Sequence, residues 1–153
     1  MTAQETMIAK YGLPDGKYQS KWCILWEVQQ DFPWFPAERI FLNKDFKDIL
    51  YKAFVTLRLN GLQSEIKTYN GCLVVRPIRG ANSISMHAWG AAIDLNAQDD
   101  PMVINVPEDQ ITPAIRLGKW SQAFVDAMKS AGLYFGGDFI DRPDPMHYSM
   151  LDM

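Results

Sequence analysis

The apolar positions of this chain fall into two helical stripes and several short alternating runs. In NKDFKDILYKAFVTLRLNG, Phe46, Ile49, Leu50, Ala53, Phe54 and Leu57 recur every three or four residues, the period of one helix face. Asn43 offers an N-cap oxygen and Gly61 a left-handed stop, so a helix is predicted between them. GKWSQAFVDAMKSAG repeats the pattern with Trp120, Phe124 and Met128, and Gly132 ends it. SEIKTY and CLVVRP read as strands joined at an Asn70-Gly71 turn. AAIDLN reads as a short strand and MHYSM as a last one. The prolines of WCILWEVQQDFPWFP bar a long helix there, and the turn-rich YGLPDGKYQSKW predicts an irregular lead-in. Helices packed on a small, mainly antiparallel sheet make an α+β single domain.

Composition narrows the function classes. At 153 residues, 48% hydrophobic and 22% charged, the chain is expected to be one globular domain with a real core. A net charge of -3 counts against a general nucleic-acid binder, which carries a basic excess. The first residues show no basic start followed by an apolar run, so no signal peptide is expected. No apolar run reaches the roughly 18 residues of a membrane span. Synthesis in a cytoplasm, without membrane insertion, is the expectation. Cys23 and Cys72 lack metal-ligand spacing and read most simply as two buried thiols. Their spacing does not say whether they pair.

The chemistry-bearing residues are sparse. There are only two histidines, and each has an aspartate nearby: Ser85-x-His87-x-x-Gly90-x-Ala92-x-Asp94, and Asp144-Pro145-Met146-His147. Two imidazoles and two carboxylates match a catalytic zinc site, which takes three protein N/O ligands and leaves one position for water. A remaining carboxylate can act as general base. A gap of seven between His87 and Asp94 is not a helical i, i+4 spacing, so a turn and a strand must supply them. Gly90 and Ala92 keep side chains small where backbone or substrate comes close. Asp144 and His147 meet one point only if the chain bends between them, and Pro145 sets such a bend. A surface or core role is the ordinary fate of any single histidine. Trp89 reads as core packing before a cleft floor. Asp99-Asp100, just past the site strand, reads as a solvated loop and carries no assigned role.

These paired motifs resemble the zinc D-alanyl-D-alanine carboxypeptidases and L-alanyl-D-glutamate endopeptidases of bacterial cell walls and phage endolysins. The resemblance extends upstream through DFKDILYKAFVTLRLNGLQSEIKTYNGCLVVRPIRG and covers about Phe32 to Tyr148. It implies a hedgehog/D-Ala-D-Ala-peptidase-like fold, with a catalytic unit at 32–153 behind a lead-in of residues 1–31. It implies zinc held by His87, Asp94 and His147, with Asp144 as base. Arg76, or else Arg79, would bind substrate or steady the oxyanion; a structural salt bridge is the ordinary reading of Arg76. Ser85 would touch a ligand or substrate, or simply cap the His87 turn. Members of the family often carry Glu two residues after the last histidine, where this chain has Ser149. Asp rather than Glu at position 144 is closer to the endopeptidase and endolysin branch. The implied substrate is peptidoglycan, and a monomer is expected. An endolysin would gather in the host cytoplasm and reach the wall after release. The other readings are a carboxypeptidase trimming the stem's C-terminus and, from a different class, a non-catalytic zinc module. Asp144 beside the last histidine favours an enzyme.

Overall fold

The computed structural model describes residues 1–74 and 84–152. They form six α-helices and two small antiparallel sheets, the expected α+β class. Helix α4 (Lys44–Leu59) starts at its predicted cap: Asn43 Oδ1 accepts from the Asp45 and Phe46 amides at 2.7 and 3.1 Å. It ends before Gly61, at φ 68°, where the Leu62 amide turns back to the Leu57 carbonyl at 2.9 Å. Phe46, Leu50, Ala53, Phe54 and Leu57 are fully buried, and Ile49 packs at their margin. Helix α6 (Gln122–Ser130), capped by Ser121, lies against α4 and buries Phe124, Val125, Ala127 and Met128. Such side chains contribute about 1.5–3 kcal/mol each on full burial, and this is the main hold on both helices.

The second sheet has the order β3 (Ala92–Asp94), β5 (His147–Ser149), β4 (Tyr134–Phe135), all antiparallel. Tyr148 in the central strand is buried among the rings of Trp120, Phe124 and Phe135. Its side chain alternates with that of His147. The core face and the site face of β5 are therefore set by one residue of register.

The N-terminal stretch is not irregular. Helix α1 (Ala3–Tyr11) is capped by Thr2, and α2 (Gly16–Trp22) by Asp15, whose Oδ1 accepts from the Tyr18 amide at 2.9 Å. Met7, Tyr11 and Tyr18 bury themselves against Met86, Ala88, Trp89, Ala91 and Ala92. The helices form because they have this apolar surface to cover. The run after them, where prolines are expected to bar a long helix, yields β1 (Cys23–Trp26), paired antiparallel with β2 (Ile40–Asn43). A single helical turn, α3 (Val28–Asp31), follows β1. A last short helix, α5 (Pro113–Leu117), precedes α6.

SEIKTY departs from the strand expectation. Gln63–Glu65 form a 3₁₀ turn, and only Tyr69 bridges to Leu95. The side chain of Asn96 causes the break. Its Oδ1 takes the Lys67 and Thr68 amides at 2.7 and 3.0 Å, in place of backbone partners. The 75–77 part of CLVVRP lies outside the described residues. Cys23 and Cys72 are free thiols, half-buried and buried, and burial pushes both pKa values up. Asp99-Asp100 is not a solvated loop. Asp100 is 1% exposed and its Oδ1 accepts from the Lys119 amide at 2.6 Å, while Asp99 pairs with Lys67 and Lys119. No described helix is long and apolar enough to cross a membrane.

Candidate metal centre

Three elements bring His87, Asp94 and His147 together. Asp94 on β3 lies directly opposite His147 on β5. The Leu95 amide bonds to the Met146 carbonyl at 2.9 Å one step along. The Asp94–His147 pair is therefore the non-hydrogen-bonded kind, whose side chains approach more closely. His147 Nδ1 lies 3.3 Å from Asp94 Oδ1. His87 comes from the 3₁₀ turn Met86–Trp89, with its Nε2 3.2 Å from the same oxygen. The two imidazoles cross at 73° with centroids 5.2 Å apart.

The His87 turn is built for one orientation. Ser85 Oγ accepts from the His87 amide at 3.2 Å, so Ser85 caps the turn. Gly90 ends it at φ 61°, and a Cβ there would sit 2.9 Å from the Asn43 nitrogen. The small residue predicted at 90 is thus required by backbone approach to β2, where the Asn43 amide bonds to the Gly90 carbonyl at 3.0 Å. Tyr18 hydroxyl donates to the Trp89 carbonyl and accepts from Asn43 Nδ2 at 2.9 Å. Trp89 is fully buried and its indole donates to the Gly12 carbonyl at 3.0 Å, so it is core and not a cleft floor. Both N-terminal helices therefore brace the segment that carries His87.

His87 Nδ1 lies 2.8 Å from the Cys72 carbonyl. A carbonyl only accepts, so Nδ1 carries the proton. Nε2 is then the ring atom turned towards Asp94 Oδ1, 3.2 Å away, where a proton or a cation can lie between the two. Backbone carbonyls commonly hold metal-ligating histidines in this way. No side-chain motif announces the Cys72 carbonyl, and sequence reasoning missed it.

The charge state of the cluster points the same way. Burial works to raise the Asp94 pKa, but hydrogen bonds from the His147 and His87 rings outweigh it and hold the carboxyl well below the usual range. One carboxylate oxygen and two imidazole nitrogens, 15% exposed or less at the side chain, converge with the ligand atoms all within 4.8 Å of one another. Converging lone pairs call for protons or a cation between them. Ligands about 2.0–2.1 Å from a tetrahedral centre lie about 3.3 Å apart. The two spacings to Asp94 match that value. Two of the three ligand spacings thus suit a divalent ion with one further position, and the two imidazole nitrogens lie within 4.8 Å of each other. One feature runs against the usual pattern: His147 Nε2 is buried with no hydrogen-bond partner among the described residues, and the Phe139 ring packs against that imidazole at 5.5 Å.

Asp144 sits three residues before His147 on a tight turn, closed by the His147 amide on the Asp144 carbonyl at 2.9 Å. Pro145 occupies the bend as expected, and Asp144 is 8% exposed. Arg76 and Arg79 lie outside the described residues.

Residues 79–150, just under half of the chain, match the family model described as D-alanyl-D-alanine carboxypeptidase. The matched span holds all of the His87, Asp94, Asp144 and His147 positions. The match supports the peptidase family. No curated protein and no solved structure matches the chain.

Proposed function

We propose that this protein is a zinc metallopeptidase that hydrolyses an amide bond in peptidoglycan stem peptides. The observation that carries the reading is the convergence of His87 Nε2 and His147 Nδ1 on Asp94 Oδ1 at 3.2 and 3.3 Å, with the three ligand atoms within 4.8 Å of one another. Bound zinc would supply Lewis acidity and bring the pKa of a coordinated water towards about 7. Asp144 takes the proton of the attacking water and hands it to the leaving amine. Its place three residues before His147, on a turn closed by the His147 amide on the Asp144 carbonyl, supports that role. The Cys72 carbonyl holds His87 in the ligating tautomer, and Asp94 stays ionised throughout. Arg76, or Arg79 in its place, offers fixed positive charge to the developing oxyanion.

The finer reading is an L-alanyl-D-glutamate endopeptidase of the phage endolysin type, acting as a monomer on the wall after release from the host cytoplasm. Asp144 in the base position supports it by resemblance. The carboxypeptidase description of the matching family model favours a second reading, removal of the terminal D-alanine. Asp144→Asn tests the shared chemistry. It should bind zinc as the wild type does and lose peptidoglycan hydrolysis by at least about 10²-fold, the scale of a general base. Turnover near the wild-type value would refute the role of Asp144.

A further inference from the structure

The turn that carries Asp144 and His147 is gripped from outside by a residue with no place in the motif. Trp120 is 4% exposed and lies in the loop between α5 and α6. Its indole Nε1–H donates to the Pro145 carbonyl at 2.7 Å. Its ring meets the Tyr148 ring edge-on at 5.9 Å. Trp120 therefore touches the chain on both sides of His147, at the bend and in the strand.

Trp120 is itself held at three points. Asp100 Oδ1 accepts the Lys119 amide at 2.6 Å. Glu65 takes the Ser121 amide at 2.8 Å and the Ser121 hydroxyl at 2.5 Å. Phe124 stacks on the indole at 4.3 Å and 9°. Gly118 stands at φ 65°, where a Cβ would collide with the Asp100 carboxylate and come within 3.1 Å of Pro145 Cβ. Two carboxylates thus fix the peptide units on either side of Trp120. A buried carboxylate oxygen costs free energy unless it is hydrogen-bonded, and Asp100 Oδ2 is buried with no hydrogen-bond partner among the described residues, so Asp100 is an expensive way to hold a loop in place. That expense is intelligible if the loop must sit in one position.

We propose that Trp120 is a positioning residue for the Asp144–His147 turn, anchored by Asp100 and Glu65, and that its indole hydrogen bond sets the aim of the base and the last zinc ligand. The proposal rests on the zinc peptidase reading above. Small displacements of a ligand or base lower metal affinity and turnover steeply. The bond donates to backbone, so the Asp-x-x-His motif gives no sign of it.

Trp120→Phe keeps a ring for Phe124 and Tyr148 and deletes only the donor. Phe54→Leu loosens the α4 core, where Phe54 packs on Trp26, Phe32 and Phe35, and serves as the stability control. The expected result for Trp120→Phe is zinc affinity about tenfold weaker by chelator competition, with kcat on peptidoglycan fragments reduced and KM retained. Phe54→Leu should lower Tm at least as far and leave zinc affinity and both kinetic constants within twofold. In the wild type, the Trp120 indole proton should shift and exchange more slowly on zinc addition, which can be read by NMR even if Trp120→Phe does not fold. The proposal is overturned by zinc affinity and kcat within twofold of wild type in Trp120→Phe, by equal losses in Phe54→Leu, or by an indole signal indifferent to zinc. A wild type that binds no zinc fails in a different place: it removes the reading of the site, and the proposal with it.

Discussion

Removing one hydroxyl, in Tyr18→Phe, should uncouple helix α2 from the His87 turn. The Tyr18 hydroxyl donates to the Trp89 carbonyl and accepts from Asn43 Nδ2. Tyr18, Asn43 and Trp89 are all buried, at 3%, 0% and 0%, so water cannot replace the lost partner. A buried polar group left without its partner costs about 1–3 kcal/mol. Two such groups on a phenyl substitution make a loss of about 3 kcal/mol reasonable. For a chain of this size each kcal/mol lowers Tm by about 2–4 °C, so the expected fall is about 6–12 °C by calorimetry or circular dichroism. Tyr134→Phe is the control. Its residue is 46% exposed, and its Tm should stay within about 1 °C, as for surface changes generally. A fall of less than about 2 °C in Tyr18→Phe would refute the bridging role of the hydroxyl. Helix α2 would then lie beside the site without supporting it.

Zinc at a hundredfold excess over its Kd should stabilise the metal-free protein by about 2.7 kcal/mol, a Tm rise of about 5–11 °C. The rise should be absent in His87→Ala and Asp94→Ala; a full rise in either variant would remove that residue from the ligand set. The metal-free protein should also lose stability in acid. The Asp94 pKa is depressed on folding, so its contribution is complete above the unfolded value near 4 and is lost as pH falls below it. Urea titrations of the wild type between pH 5 and pH 2 should therefore fall more steeply than those of Asp94→Asn; parallel curves would show that the imidazoles do not hold the carboxylate.

Much of the fold and site was legible because the signals were local. The α4 stripe, its Asn43 cap and its Gly61 stop each act within a few residues, and all three are observed. Strands β3 and β5 carried both their pattern and the site residues, and their register places Asp94 against His147. SEIKTY failed because Asn96, about thirty residues away, captures its amides. No short-range pattern encodes that competition. Helix α1 did leave a sign, since Thr2 and Glu5 follow the capping-box pattern and Thr2 does cap the helix. Its burial depended on a partner surface around Trp89 that only the tertiary fold reveals. Asp100 looked like loop because its neighbours are polar. Its burial comes from Lys119 and Gly118, which reach it from the other side of the site.

The central claim is zinc-dependent cleavage of stem peptides, and mass spectrometry of purified peptidoglycan tests it most directly. The digest is run with zinc and again with a chelator. The account predicts products that appear with zinc and vanish with the chelator. New N-terminal D-glutamate would identify the endopeptidase, and loss of a single terminal D-alanine the carboxypeptidase. Unchanged peptidoglycan in both digests, from protein that is folded and holds zinc, would contradict the account and leave a non-catalytic zinc module in its place.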